Sequence, residues 1–352
     1  MTQRRDFLKT GLLPFGAICL SPLFSAGALS VAPITAGEPF TSGSPVTSGA
    51  HFTSSPSASP SGPSPLSSRL KTLTRNTGWT LVSEIRVRFK TFHCQGMVKI
   101  GNDFWVSSVE IVTTPEGTQS RSNGAGHLFK IDGSGNLLSD IAIGEGAIYH
   151  PSGIDFDGSH IWIAAAEYRP DSQSIIYQFD PENQLLREVF RWQDHIGGVA
   201  RNKDSNTLHG ISWGSRRFYQ WQLSEKGLPR GAFQIPNDTF TPYKSPSNSA
   251  TLNHSFYIDY QDNQYLGGQE MLYTGLTSYK NSRGDKFALG GLEIVDLDKG
   301  HAVHQVPLQL WSPVSGAVMT QNPSFFELSE EGKIRAYFMP DDNESIIYIY
   351  EA

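Results

Sequence analysis

A four-residue pattern, His-x-x-Gly, recurs along this 352-residue chain and limits its possible folds more than any other feature. It stands at His93-Cys-Gln-Gly96, His150-Pro-Ser-Gly153 and His195-Ile-Gly-Gly198. Twelve residues after the first two histidines come Trp105 and Trp162, and seventeen after them come Glu110 and Glu167. In the third unit Trp213 lies near the glutamate position. Around these anchors, aromatic and β-branched runs such as Asp103-Phe-Trp-Val-Ser-Ser, His160-Ile-Trp-Ile-Ala and Ser174-Ile-Ile-Tyr-Gln-Phe alternate with Gly, Asn, Asp and Pro turns. Such runs read as strands at hairpin spacing. A third strand in each unit ends in a polar turn, as at Lys130-Ile-Asp-Gly-Ser-Gly and Phe179-Asp-Pro-Glu-Asn, and a fourth follows. Four strands in roughly 45 to 55 residues is the pattern of a propeller blade.

The expected fold is therefore all-β, a β-propeller of four-stranded blades. Two further units have altered anchors. One runs from about Tyr257 to Val306 and opens Ile258-Asp-Tyr-Gln-Asp, and the last runs from about Asn322 to Ala352 with only three strands. Thr80-Leu-Val-Ser-Glu-Ile-Arg-Val-Arg is the expected missing strand, closing the ring in the last blade and removing a free edge. The count is five blades, or six if the long fourth segment holds two units.

Composition agrees. Charged residues are 18% of the chain, with 34 Gly and 21 Pro, which argues against a coiled coil or helical bundle. The net charge is −6; Arg4, Arg5, Lys9 and Asp6 sum to +2, leaving −8 for residues 29–352. An acidic body has no long-range pull on nucleic acid or anionic lipid, so neither is an expected partner.

The first residues, Arg4-Arg5-Asp6-Phe7-Leu8-Lys9 before the apolar run Gly11 to Leu20, resemble a twin-arginine export signal. The run is short for a membrane span, and Pro14 and Pro22 interrupt it. Ala26-Gly27-Ala28 offers small residues for cleavage, so residues 1–28 are expected to be removed. The resemblance implies the twin-arginine translocase as an export partner, a periplasmic or secreted destination, and no membrane attachment after cleavage. Residues 29–76, rich in Ser, Pro, Thr and Gly, are expected to be a disordered tether, and residues 77–352 the propeller. Once Cys19 leaves, only Cys94 remains; no internal disulfide can form, and Cys94 is expected to be a buried, inert thiol.

In a propeller, the residues that open each unit converge on one face. That face should hold His93, His150 and His195, then Asp259 or Gln261, with Asn322 nearby. The seventeen-residue spacing returns Glu110 and Glu167 to it, and neighbouring turns add Arg169, Trp213 and Arg216. Three imidazoles from three blades can ligate Zn, Mn or Fe, with carboxylates behind them fixing the ring tautomers. A plainer reading stands beside this one. Histidines and glycines repeated at blade starts serve hydrogen bonding between blades and close approach at a crowded axis, and Trp105 and Trp162 are core.

The body resembles a family of exported β-propeller proteins of unknown function, on the His-x-x-Gly motifs above together with Glu167-Tyr-Arg-Pro-Asp171, Trp213-Gly-Ser-Arg-Arg217, Asp259-Tyr-Gln-Asp262 and Pro340-Asp-Asp342. The architecture is more distantly similar to propeller lactonases, and Gln95-Gly-Met97 to the opening of five-bladed glutaminyl cyclases. None of these resemblances implies an activity that can be placed on residues here. Two functions stay open. One is a metal-dependent hydrolase or lyase for a small polar molecule, with His93, His150 and His195 as ligands, Glu110 or Glu167 moving protons, and Arg169 or Arg216 holding an anion. The other is a non-catalytic propeller binding a sugar, peptide or protein on the same face. Arg169, Trp213, Arg216, Asp259 and Gln261 are the expected substrate-binding residues.

Overall fold

The structure, a computed structural model, describes residues 62–112, 123–223 and 250–352. The expected export signal, its cleavage site and the first part of the expected tether lie outside the described residues. The packed body begins earlier than Thr77. Helix α1 (Pro65–Leu70) starts where Pro65 is pre-set for the first turn and the Ser64 hydroxyl accepts the Ser67 N–H at 3.1 Å. Leu66, Leu70 and Leu73 face one side, and Leu70 and Leu73 are buried among Leu266, Leu272 and Ile334. The last part of the expected tether, from Leu66 to Leu73, thus packs into the core.

The rest is β-structure. Strand β1 (Thr80–Arg86) precedes a four-stranded antiparallel meander, β2 (His93–Ile100), β3 (Asp103–Val112), β4 (Asn123–Ile131) and β5 (Leu137–Ile143). A second contains β6 (Ile148–Phe156), β7 (Ile161–Glu167), β8 (Ser174–Asp180) and β9 (Leu185–Trp192). A third contains β10 (Ile196–Asn202), β11 (Thr207–Ser212), β12 (Arg217–Gln222) and β13 (Ala250–Leu252), joined to the second by one parallel bridge, Gly198 to Gly153. A fourth contains β14 (Asp259–Gly267), β15 (Glu270–Lys280), β16 (Lys286–Asp296) and β17 (His301–Leu308). The last is β18 (Ser324–Leu328), β19 (Ile334–Phe338) and β20 (Ile346–Glu351). Its fourth strand is β1, paired antiparallel with β20 from Thr80–Glu351 to Arg86–Ile346. The fourth segment is one meander, lengthened because β15 and β16 have eleven residues each.

The repeated residues explain the packing. Trp105 and Trp162 are fully buried on equivalent second strands; Trp105 meets Phe179 of the next sheet at 5.1 Å, and Trp162 lies with Val199, Leu208 and Trp221 of the sheet after that. Asp132, Asp180 and Asp296 close third-to-fourth strand turns by accepting backbone N–H groups. Cys94 is buried, and burial pushes its thiol up to about 12, so it is inert as expected.

The glycines of the motif admit close approach. A Cβ on Gly96 would stand 2.5 Å from the Ile154 backbone nitrogen, one on Gly153 2.7 Å from Asn263 Oδ1, and one on Gly198 2.1 Å from the same oxygen. Strand β14 supplies the polar joints. Met97 and Ser324 N–H groups donate to Asp262 Oδ2 at 3.0 and 3.1 Å, Asn263 Nδ2 donates to the Val199 carbonyl at 3.1 Å, and Tyr265 N–H donates to Asp155 Oδ2 at 3.1 Å. The inner strands β2, β6, β10 and β18 are therefore all tied to β14.

Gly96→Ala is expected to lower stability by about 3 kcal/mol, because its neighbour is backbone and cannot rotate away. Gly78→Ala, with open space around it, should change stability by no more than about 0.5 kcal/mol. Urea denaturation of both variants measures this; equal effects would mean that the inner strands are not in close contact.

Candidate functional site

Antiparallel register brings the strand starts and second-strand ends to one end of the sheets. His93 pairs with Val109, Ile148 with Glu167, Ile196 with Ser212 and Asp259 with Leu276. An irregularity in register follows each start, between Cys94 and Gly96, Pro151 and Ile154, Ile196 and Gly198, and Tyr260 and Asp262. Bulges at one level in successive strands re-aim the chain there. Gln261 is the extra residue of the fourth and is half-buried.

The three histidines share this face but are held differently. His93 is about one-third exposed, and its Nδ1 lies 2.9 Å from Asp342 Oδ1. With a carboxylate at Nδ1, the ring proton sits there and Nε2 is the free basic nitrogen. Asn322 Nδ2 also donates to Asp342 Oδ1, at 2.8 Å. His150 is buried and stacks on Tyr168 at 4.5 Å, and its Nδ1 has no hydrogen-bond partner. Burial, with the His195 and His93 imidazoles nearby, holds its pKa well below the usual range. His195 Nδ1 lies 2.8 Å from the Glu167 carbonyl, so this nitrogen donates. Burial brings its pKa to about 4. His150 and His195, 5.5 Å apart by ring centroid, are therefore neutral at physiological pH.

Trp213 meets His195 edge-on at 4.6 Å and Tyr168 at 5.6 Å, and both Trp213 and Tyr168 keep a face in solvent. The loops carrying these groups are strained. Of six non-glycine residues with positive φ among the described residues, four lie at this end: Phe92 beside His93, Asp171 after Tyr168, Ser215 after Trp213, and Asn343 after Asp342. Such conformations cost about 1–3 kcal/mol and persist only where surroundings impose them. Here Asn343 N–H donates to the Phe92 carbonyl at 2.8 Å, and Thr91 N–H to the Asn343 carbonyl at 3.0 Å. Tyr260 N–H donates to Ser215 Oγ at 2.7 Å, and Asn253 Nδ2 to the Ser215 carbonyl at 2.8 Å.

Other expected site residues are accounted for as follows. Glu167 binds Arg169 at 2.7 Å, so neither charge is free. Arg216 contacts Asp259 at 3.3 Å, donates to the Ser255 carbonyl at 2.9 Å and covers the Phe256 ring. The expected anion-holding role thus meets two already neutralised guanidiniums. Glu110 is half-buried near the end of β3, one residue beyond the partner of His93. Among the described residues, no group of three or more His, Cys, Asp or Glu side chains is placed to hold a metal ion. The expected three-imidazole centre is therefore not among such groups here, although Asp342 at His93 Nδ1 and the Glu167 carbonyl at His195 Nδ1 are partners of the kind a ligating imidazole keeps. Sequence reasoning placed Asn322 near this face but missed Asp342 and Tyr168. Asp342 was visible only as part of Pro340-Asp-Asp, without an equivalent in the other repeats.

The His195 pKa sets a stability window. The unfolded imidazole titrates near 6.5 and the folded one near 4, so the contribution is complete above about pH 6.5 and lost as pH falls toward 4. Urea denaturation should show wild type losing stability relative to His195→Gln between about pH 7 and 4, by at most about 1.4 kcal/mol per pH unit. A constant difference would mean that the folded ring is already charged.

Comparison with known proteins identifies the family. Its model, described as "Family of unknown function (DUF6454)", matches residues 57–352, and the chain belongs to it. No curated protein matches the sequence. Among solved structures, the chain is similar to glutaminyl cyclase of Myxococcus xanthus at 12% identity, over 78% of this chain and 96% of that one, with a TM-score of 0.44. It is similar at 10% identity to MPT-4, a mannose phosphorylase from Leishmania mexicana in complex with phosphate ion, over 76% and 88%, with a TM-score of 0.42. MPT-1, a GDP-Man-dependent mannosyltransferase of the same organism, is similar at 10% identity over 81% and 94%, with a TM-score of 0.44. At these identities and TM-scores the likenesses carry no argument about the fold or activity of this chain.

Proposed function

We propose that the five meanders are the blades of one five-bladed propeller, closed by β1 in the last blade, and that its histidine face binds a small polar molecule. The His93–Asp342 pair moves a proton on that molecule, as in a hydrolase or lyase that needs no metal at this face. The observation that carries this reading is the gathering of left-handed, strapped residues around the pair and around Trp213. Strain held in place at one end of a molecule is a feature of sites that must be preorganised. His93 Nε2 is the candidate base or acid, with water access and a carboxylate to hold the ring's orientation. Asn322 fixes the carboxylate. The same reading retains the twin-arginine address: the translocase would export the folded body, and the site would work in the periplasm or outside the cell.

Ligand-observed NMR with a pool of small polar metabolites tests this. At least one binder should be lost in Trp213→Ala, while His93→Gln keeps binding and loses conversion of that binder. Binding without conversion in wild type would make the protein a receptor and remove the proton-transfer role. Binders indifferent to Trp213→Ala, or none, would overturn the site. Stoichiometric zinc, manganese or iron in untagged protein, lost in His150→Ala, would overturn the metal-free mechanism.

A further inference from the structure

Resting on the reading of this face as a small-molecule site, we infer that its ligand is an uncharged saccharide. The charges here are already matched. Arg169 is paired with Glu167 at 2.7 Å, Arg216 with Asp259 at 3.3 Å, and Arg217 with Asp171 and Asp194 at 2.7 and 2.9 Å. A phosphate or carboxylate would have to break one of these pairs and would approach the Asp342 carboxylate. An uncharged hydroxyl does neither, and it can bridge a guanidinium and its carboxylate by donating to one and accepting from the other.

The two buried imidazoles suit the same chemistry. Neutral imidazole has one donor and one acceptor nitrogen, the complement of a hydroxyl. His195 has its donor committed to Glu167, which leaves an acceptor. The buried His150 Nδ1 has no partner, and a buried polar atom without one costs about 1–3 kcal/mol until a partner arrives.

The aromatic rings supply the rest. Tyr168 and Trp213 are 38% and 37% exposed, with their planes 58° apart. Phe256 is 80% exposed beneath the Arg216 guanidinium. A pyranose has one apolar C–H face and a rim of hydroxyls; it stacks its face on such rings while its rim meets the polar groups around them. The platform is rigid, since Ser215 and Asp171 hold the turns after Trp213 and Tyr168. An organic cation fits less well. It favours rings spaced around it, whereas these rings pack against one another with centroids 4.5 to 5.6 Å apart.

Isothermal titration and saturation-transfer NMR should use neutral mono- and disaccharides, the matching sugar phosphates and tetramethylammonium. A neutral saccharide should bind with an affinity unchanged by salt. Trp213→Ala and Tyr168→Ala should each weaken it about tenfold or more, Trp213→Phe should keep most of it, and thermal unfolding of all three should match wild type. Preferred binding of a sugar phosphate or of tetramethylammonium, lost in Trp213→Ala, would overturn the saccharide assignment and leave the site standing. Saccharide binding indifferent to both aromatic substitutions would overturn the site itself. No saccharide binding at all would overturn the assignment.

Discussion

The carboxylate of Asp262 holds the inner strands together. Its Oδ2 receives N–H groups from β2 and β18, and its Oδ1 receives the N–H of Asn263. Burial pushes its pKa well above the usual carboxylate range, so the group is costly to place there. The cost is offset because backbone N–H groups of two other sheets, which cannot pair within their own ladders, find their acceptor in it. Asp155 serves β6 and β14 in the same way, and burial pushes its pKa up to about 8. Polar side chains of one strand thus take the place of a hydrogen-bonded ladder between sheets.

That arrangement explains where chemistry can occur. At the level of Asp262 and Asn263, the chain is so close that glycine alone fits at 96, 153 and 198. At that level in each strand a bulge turns the backbone, and the side chains before it lie among the loops of one end. The histidine of each motif lies on the far side of the bulge from its glycine. One short motif therefore has two duties: the glycine packs the sheets together, and the histidine is left at the rim, where neighbouring loops decide its role.

This division shows what was legible in the sequence. Strand order, the buried tryptophans, the place of β1 and the shared face all follow from spacing, because spacing reports register directly. Helix α1 was hidden by its Ser- and Pro-rich surroundings, although Leu66, Leu70 and Leu73 have helical spacing. Asp342 was hidden for the opposite reason. It belongs to the unit whose anchors differ most from the repeat, and a search for repeated residues passes over a partner that occurs once. The pairing of Arg216 was not legible at all: Arg216 and Asp259 are 43 residues apart and meet only through the fold.

The three histidines make the strongest case for reading environment over identity. By spacing they are equivalent, and equivalence suggested three ligands of one metal. In the fold, His93 keeps water and a carboxylate, His195 a backbone carbonyl, and His150 only aromatic neighbours and two other imidazoles. Desolvation favours the neutral ring; at His195 it outweighs the neighbouring Asp194 carboxylate, and at His150 no anion opposes it. His150 and His195 are thereby fixed as uncharged hydrogen-bonding groups, while His93 alone has both a route to solvent and a carboxylate at its Nδ1. In the function proposed above, burial and one aspartate would thereby separate recognition from proton transfer among three identical side chains.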